Sequence, residues 1–269
     1  MFREKIRSVL KFSTLKSKYI DKITNAEGMK LYEQAFTHSS VSHTNYEWLE
    51  ILGDATLNKC IVWYINNRFP QLQNEGGVKV IARLKINLVS KNNFSEIAER
   101  LGFMPFIRYD EQNMKTKVNM KSMLEDVFEA FFGTTEMLID QHVCMGAGYG
   151  ICYHLLKNIM DPIPISLKYE DLYDPITRLK ETFDGFRTTL RGQVKYESTR
   201  DEHIQHVKVF QIDQATGWKR LLATSQAPTL DEAKQKAAAD AIERLAREGY
   251  RRPVPDYYIA LQESLREQT

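Results

Sequence analysis

The amino-acid sequence predicts an all-α domain followed by a small α+β domain with the element order α-β-β-β-α. Apolar residues recur at helical spacing through the first 160 or so residues, where strand-like alternation is scarce. After a proline-rich stretch, three short alternating segments lie between two helical segments. We therefore expect residues 1–160 to form the helical domain, 161–173 a linker, 174–250 the α+β domain and 251–269 a tail.

The helical domain begins with a basic segment, MFREKIRSVLKF, that lacks the apolar core of a signal peptide. An ordinary first helix is predicted there rather than a transit peptide. Pro70, Gly76–Gly77, Gly102, Pro105 and the polar stretch YDEQNMKTKVN are predicted to interrupt the later helices. Five later segments carry helical periodicity: MKLYEQAFTHSS, NYEWLEILGDATLNKCIVWYI, VIARLKINLVSKNNFSEIAERLG, KSMLEDVFEAFFGTTEMLID and GYGICYHLLKNIM.

The α+β domain is predicted from capping signals and alternation. Its first helix opens with Asp174 before Pro175, a favourable cap and first-turn pair. The strand candidates are QVKYESTR, HVKVFQID and KRLLATSQ. Thr229 and Glu232 have the spacing of a capping box ahead of the alanine-rich last helix, and Gly249 follows its end. The tail is compatible with either a docking helix or disorder.

Bulk composition excludes several classes of protein. The chain has 269 residues, of which 43% are hydrophobic and 27% charged, with a net charge of only +2. This composition is that of an ordinary globular protein, and overall charge does not indicate a nucleic-acid partner. No apolar run is long enough to span a membrane. The three cysteines, Cys60, Cys144 and Cys152, have neither a disulfide pattern nor zinc-ligand spacing, so a reducing compartment is expected.

Three carboxylates stand out in the apolar segment NYEWLEILGDATLNKCIVWYI. Glu47, Glu50 and Asp54 lie at positions i, i+3 and i+7, which share one face of a helix. The other faces are apolar, so little of this helix is expected to face water. An ionised carboxylate that is buried without a partner costs several kcal/mol. Protonation, pairing with a base, or a bound cation could each relieve that cost.

A second apolar helix repeats the pattern with Asp126 and Glu129 at i and i+3. Packing of the two helices would bring Glu50, Asp54, Asp126 and Glu129 together; these four side chains are called the carboxylate cluster below. An all-oxygen set of this size suits a hard divalent cation such as Mg²⁺ or Mn²⁺. Metal-assisted phosphoryl transfer is the usual chemistry of such a site. The spacing also allows a simpler interpretation, in which each acidic pair is a solvated helix face.

Three motifs, in the right order, resemble the ribonuclease III family. NYEWLEILGDATL resembles the family signature, AFTHSS resembles the Ala-Leu-Thr-His-Ser-Ser that precedes it, and KSMLEDVFEAFFG resembles the later Asp-x-x-Glu-Ala motif. The resemblance covers most of residues 30 to 160. It implies an all-α ribonuclease III endonuclease domain of a bacterial-like or large-DNA-virus type.

The resemblance also implies roles for single residues. The carboxylate cluster corresponds to the metal ligands, with Asp54 and Glu129 as catalytic residues. Glu47 corresponds to an additional acidic residue near the RNA strand, and Lys121 to a basic residue that could meet a phosphate. Gly53 would let the neighbouring helix approach closely. Glu75 is the closest match to a further acidic residue of the family, in an unusually long segment.

Other positions depart from the family pattern or have simpler explanations. Trp48 replaces a common basic residue, and Ile51 replaces a common Phe at the family's dimer contact. His38 lies beside Ser39 and Ser40, but no acid is placed to complete a nucleophilic triad. Cys60 is expected to be core packing.

Residues from about 174 to 249 resemble the double-stranded RNA-binding domain that often follows this nuclease domain. His206 would stand in the loop that reaches a minor groove, and Lys234 and Lys236 lie on the helix that meets phosphates. Leu230 and Asp231 replace basic residues at the start of that helix. Weak RNA binding is therefore expected, and a role in protein contacts is the alternative.

These observations predict a Mg²⁺-dependent endoribonuclease, with Mn²⁺ as a substitute, that cuts double-stranded RNA into products with 5′-phosphate and 3′-hydroxyl ends. The resemblance implies a homodimer through the catalytic domain, and the lack of a long apolar run predicts no membrane partner. A cytoplasmic or viral-infection-associated location is expected, not secretion. The alternatives are a non-catalytic RNA scaffold and a duplex-binding silencing suppressor with the same fold. The natural RNA substrate is not indicated.

Overall fold

The computed structural model describes residues 1–114, 117–201, 204–213 and 215–266. The chain divides into two compact units, residues 1–165 and 166–269. The first unit is helical, as predicted: across its described residues, the only strand-like pairing is one isolated bridge between Thr37 and Arg108. Its helices are α1 (Phe2–Leu10), α2 (Ser17–Ile23), α3 (Ala26–Ala35), α4 (Glu47–Arg68), α5 (Glu75–Leu88), α6 (Lys91–Arg100), α7 (Glu111–Met114), α8 (Lys117–His142) and α9 (Ala147–Met160).

Helices α4 and α8 form the centre of the first unit. Gly53 of α4 and Gly133 of α8 face each other, and a Cβ at Gly53 would overlap the backbone carbonyl of Glu129. The close approach predicted at Gly53 is therefore confirmed. Buried phenylalanine rings extend this core toward α6, with Phe94 and Phe128 centroids 5.1 Å apart.

Helix α4 is much less buried than its apolar sequence predicts. Trp48 and Ile51 are 61% and 65% exposed, and Ala55 and Val62 also face solvent. Only the opposite side, which includes Leu49 and its neighbours along the core face, is covered by α8. The expectation of a helix with little exposure was wrong, because an apolar side chain shows which face can be buried and not whether another element covers it.

Two predicted helix boundaries also differ. Gly76 and Gly77 do not interrupt the helix but lie in the first turn of α5, where Asn74 Oδ1 accepts a hydrogen bond from Gly77 N at 2.8 Å. A Cβ at Gly77 would overlap the backbone of Leu72, so close packing explains that glycine. The long periodic segment that follows divides before α6, because Ser90 caps a new helix.

The predicted polar loop at 109–119 is also partly helical. Helix α7 occupies its middle, and α8 begins at Lys117. Residues 115 and 116 lie outside the described part of the chain.

The second unit carries the predicted α-β-β-β-α order. Its three strands form an antiparallel sheet in the order β1-β2-β3, with a register shift between β2 and β3 at Val209/Phe210. Small alanines on the last long helix, including Ala237 and Ala241, are fully buried and let it lie close to the sheet. The elements are α10 (Tyr169–Leu172), α11 (Pro175–Gly185), β1 (Gln193–Asp201), β2 (Ile204–Ile212), β3 (Lys219–Ala227), α12 (Leu230–Arg247) and α13 (Asp256–Arg266).

Capping and tail contacts follow from the sequence. Asp174 Oδ1 accepts from Thr177 N at 2.9 Å at the start of α11, and Thr229 Oγ1 accepts from Glu232 N at 3.2 Å at the start of α12. The tail is helical at α13, where Tyr258 is buried and its ring centroid lies 5.4 Å from that of Tyr169. A docking helix, one of the two possibilities left open for the tail, is therefore formed.

Candidate active site

The two acidic helices meet where their backbones are closest. On α4, Glu50 lies three residues before the contact residue Gly53 and Asp54 lies one residue after it. On α8, Asp126 and Glu129 precede the matching contact residue Gly133. A larger residue at Gly53 would push the helices apart. The glycine contact therefore brings two acidic helix faces to one place.

The charges of the carboxylate cluster interact strongly. Burial raises the pKa of Glu129 to about 9, helped by repulsion from Asp54 and other acidic neighbours, and the residue is only 7% exposed. Burial also raises the pKa of Glu50 to about 7, with repulsion from Asp126 as the next cause. Both shifts have the same physical origin, because ionised carboxylates lose solvation on burial and repel one another.

Asp126 is held by a buried tyrosine. Tyr46 Oη donates a hydrogen bond to Asp126 Oδ2 at 2.9 Å. Burial raises the pKa of Asp126, whereas the Tyr46 hydrogen bond and the nearby Lys91 and His38 oppose that rise. The His38 ring packs against Tyr46 with centroids 5.6 Å apart, so the AFTHSS segment supports Asp126 through this tyrosine.

Asp54 is the most solvent-exposed member of the cluster. Its Oδ1 accepts a hydrogen bond from Asn58 Nδ2 at 2.6 Å, one helical turn further along α4. The remaining three members are half-buried or buried. The site is thus open to solvent on the Asp54 side and closed around Glu129.

The three accessory residues predicted from the sequence, Glu47, Lys121 and Glu75, are all exposed, and they lie on different helices. Glu47 is exposed in the first turn of α4, and its charge contributes to raising the pKa of Glu50. Lys121 is exposed and its Nζ donates to Asn92 Oδ1 at 3.2 Å. Glu75 is exposed in the first turn of α5, and its role as a further acidic residue of the site stays a prediction.

Glu125, Tyr46 and Lys91 were not singled out from the sequence. Glu125 lies beside Asp126 on α8, is only partly exposed, and its charge helps to raise the pKa of Glu129 and Glu50. The sequence signal was available for Glu125, since it is a further acid within the same apolar helix. Tyr46 and Lys91 carry no such signal, because their contacts depend on how separate elements pack.

The chemistry of the cluster fits a hard divalent cation. All of its donors are carboxylate oxygens, which is the set that Mg²⁺ and Mn²⁺ prefer. Among the residues that the structure describes, no three His, Cys, Asp or Glu side chains are gathered tightly enough to enclose an ion. A bound cation would offset the repulsion between these like charges.

The predicted RNA-binding residues lie on the second unit. His206 is within strand β2, paired with Thr199 and Gln226, as the strand candidate HVKVFQID predicted, and not in the loop that was expected to reach a minor groove. Alternation along β2 places it on the face opposite the buried Val207, away from the helices. Lys234 is half-buried and Lys236 exposed in the first half of α12.

The sequence matches a family model described as Ribonuclease-III-like over residues 28–138. It is 37% identical over 260 residues to a protein of Invertebrate iridescent virus 6 that is provisionally named ribonuclease 3, covering 91% of this chain and 87% of that protein. A protein of Frog virus 3, with the same provisional name, is 38% identical over 245 residues, covering 90% of this chain and 62% of that protein.

A bacterial protein shows the same relationship. Ribonuclease 3 of Lactobacillus johnsonii is 35% identical over 189 residues, covering 68% of this chain and 75% of that protein. All four residues of the carboxylate cluster lie within the residues that the family model matches. The chain belongs to the ribonuclease III family of endoribonucleases.

Proposed function

We propose that this endoribonuclease cleaves double-stranded RNA by Mg²⁺-assisted phosphodiester hydrolysis, which leaves 5′-phosphate and 3′-hydroxyl ends. The observation that carries the proposal is the meeting of Glu50, Asp54, Asp126 and Glu129 at the closest approach of α4 and α8. Asp54 and Glu129 are the residues proposed as catalytic. Members of the ribonuclease III family generally depend on divalent metal ions, and the oxygen-only donor set favours Mg²⁺, with Mn²⁺ as a substitute.

The protein's own residues prepare this site. Tyr46 orients Asp126 by donating a hydrogen bond to one of its two carboxylate oxygens. Burial of Glu129 makes its ionised form unfavourable without a cation, which favours metal uptake over an empty charged site. When bound, the metal would supply an activated water and charge stabilisation at the scissile phosphate. Lys121 and Glu47 are exposed nearby and would face the RNA strand.

The direct test is incubation of a long duplex RNA with the protein in Mg²⁺, in Mn²⁺, and in excess chelator. We expect cleavage in either metal and none in chelator, with products that carry a 5′-phosphate and resist further cutting as single strands. End mapping checks the chemistry. Duplex binding without cleavage in Mg²⁺ would instead support the RNA-scaffold or silencing-suppressor alternatives.

A homodimer through the catalytic domain forms part of the proposal. Trp48 and Ile51 on α4 and Val78 and Ile86 on the adjacent α5 are all more than half exposed. Large apolar side chains exposed on neighbouring helices are typical of a protein interface. Ile51 stands where the family resemblance places the dimer contact.

Replacing Ile51 with aspartate is expected to shift the protein from dimer to monomer at micromolar concentration, because a charge would be buried in the apolar contact. Light scattering after size-exclusion chromatography would measure the molar mass. Val143→Asp, which changes another exposed apolar residue outside α4 and α5, is the matched control and should leave the mass unchanged. A monomeric unsubstituted protein would contradict the proposal.

The second unit is proposed as a weak binder of the RNA duplex. The first turn of α12 carries Asp231 and Glu232, which repel phosphates, and the first basic residues of the helix are Lys234 and Lys236. Replacing both lysines by alanine is expected to weaken duplex binding by about 2- to 5-fold and to reduce the salt slope by about 1 to 2.

This binding is best measured by fluorescence anisotropy in a Glu129→Gln background, where cleavage does not interfere. Lys195 with Lys219, on the sheet, provides a control pair of equal charge. An unchanged affinity after the α12 substitutions would favour a role of this unit in protein contacts.

A further inference from the structure

An ion pair lies at the edge of the carboxylate cluster and is not explained by the ligand set. Lys91, the first residue of α6, has its Nζ 3.3 Å from Glu125 Oε2 and donates to Ser122 Oγ at 3.1 Å. The Glu125 side chain is 17% exposed, whereas that of Lys91 is 51% exposed. A mostly buried acid is therefore paired with a base that reaches in from solvent.

Both charges act on the cluster itself. Glu125 directly precedes Asp126 on α8 and lies one helical turn before Glu129, so its carboxylate is a neighbour of two cluster residues. Because Lys91 Nζ lies 3.3 Å from that carboxylate, a positive charge stands beside the same residues. Since Coulomb interactions near a protein surface remain appreciable over several ångströms, each of these charges changes the field that a cation would meet.

We propose that Glu125 and Lys91 are positioning residues that set the affinity of the carboxylate cluster for a divalent cation, Glu125 by strengthening its negative field and Lys91 by offsetting it. The inference rests on the proposed function, because it requires that the cluster bind a metal ion. Lys91 holds one Glu125 carboxylate oxygen in an ion pair and also donates to Ser122, which fixes the position of the Glu125 charge on α8.

The plainer explanation is that the pair only ties α6 to α8. The two explanations differ in the sign of one measurement. If the pair is merely a tether, Lys91→Met and Glu125→Gln both break it and both should weaken metal binding to a similar extent. If the pair tunes the field, the loss of a positive charge should tighten metal binding and the loss of a negative charge should weaken it.

The test is a titration of the full chain with Mn²⁺ in the absence of RNA, in which free Mn²⁺ is counted by electron paramagnetic resonance. We expect the dissociation constant to fall by about 3- to 10-fold in Lys91→Met and to rise by about the same factor in Glu125→Gln. The double variant, which removes both charges, should return to within about 2-fold of the unsubstituted protein. Lys30→Met removes an exposed charge on α3 and serves as the control, with no change expected.

The outcomes separate this inference from the proposed function. If the Mn²⁺ dissociation constant changed in the same direction in both single variants, or in neither, the inference would be overturned but the proposed metal site would not. Failure of the unsubstituted protein to bind Mn²⁺ would overturn both. Thermal unfolding of each variant, compared with Lys30→Met, shows whether a change in binding merely follows a loss of structure.

Discussion

Replacing Glu129 by glutamine is expected to lower the cleavage rate by at least about 10³-fold, because a metal-binding carboxylate at the reacting phosphate contributes several kcal/mol to the barrier. Glutamine has almost the same volume, so the buried side chain can keep its place against α4. Affinity for duplex RNA should change little, since the buried Glu129 side chain offers almost no surface for direct contact with RNA. Single-turnover cleavage and anisotropy measure the two quantities separately.

The matched control is Glu99→Gln, which removes the charge of an exposed glutamate on α6. It should leave both rate and affinity unchanged. A proportionate loss of cleavage and RNA binding in Glu129→Gln would mean that Glu129 acts in binding or in folding, and the catalytic assignment would fall.

The metal-free protein is expected to be less stable at pH 8 than at pH 5, by about 2 to 4 kcal/mol from Glu129. The sign follows from its pKa, which burial raises from the ordinary 4.5 to about 9. The folded state then holds a proton that the unfolded state releases above pH 4.5. Stability from this group is complete below pH 4.5 and is lost as the pH rises toward 9. Burial also raises the pKa of Glu50, to about 7, so its contribution to stability falls with rising pH over a narrower range.

Urea unfolding between pH 5 and pH 8, in chelator, measures this slope. In Glu129→Gln the slope should be smaller, because the titrating group is gone, and the variant should be more stable than the unsubstituted protein at pH 8. Saturating Mg²⁺ should also flatten the slope, since a bound cation stabilises the ionised carboxylate in the folded state. If the unfolding free energy of the variant changed with pH as steeply as that of the unsubstituted protein, Glu129 would not be the group responsible for the pH dependence.

Repulsion among the buried carboxylates would link the proposed active site to the stability of the protein. Four carboxylates around a helix contact are unfavourable for an ion-free fold, and glycine at Gly53 is what allows them to approach at all. A bound cation would relieve the repulsion among these carboxylates, and the same cation could then contact a substrate phosphate.

Much of the local structure could be predicted from the residues alone. Each strand of the second unit was predicted to within a few residues of its observed bounds, because alternation and turn residues are local signals. The helix caps at Asp174 and Thr229 were also predicted, because a capping residue and the amide it bonds lie within three positions of each other. Helical spacing also identified both acidic pairs of the cluster, since residues three and four apart share a helix face in any fold.

Packing decided the features that the sequence left open or predicted wrongly. Trp48 and Ile51 are apolar and yet exposed. The reason is that α8 covers the face of α4 that carries Gly53, which meets Gly133, and these two side chains lie on another face. The hydrogen bond from Tyr46 to Asp126 joins residues 80 positions apart, and the Lys91–Glu125 pair joins two helices. His206 lies inside a strand because the ladder of β2 begins two residues earlier, at Ile204. The sequence by itself determined which side chains could bind a cation, through spacing along single helices. Only the tertiary structure decided which charges surround them, because contacts between distant segments leave no periodic pattern in the chain.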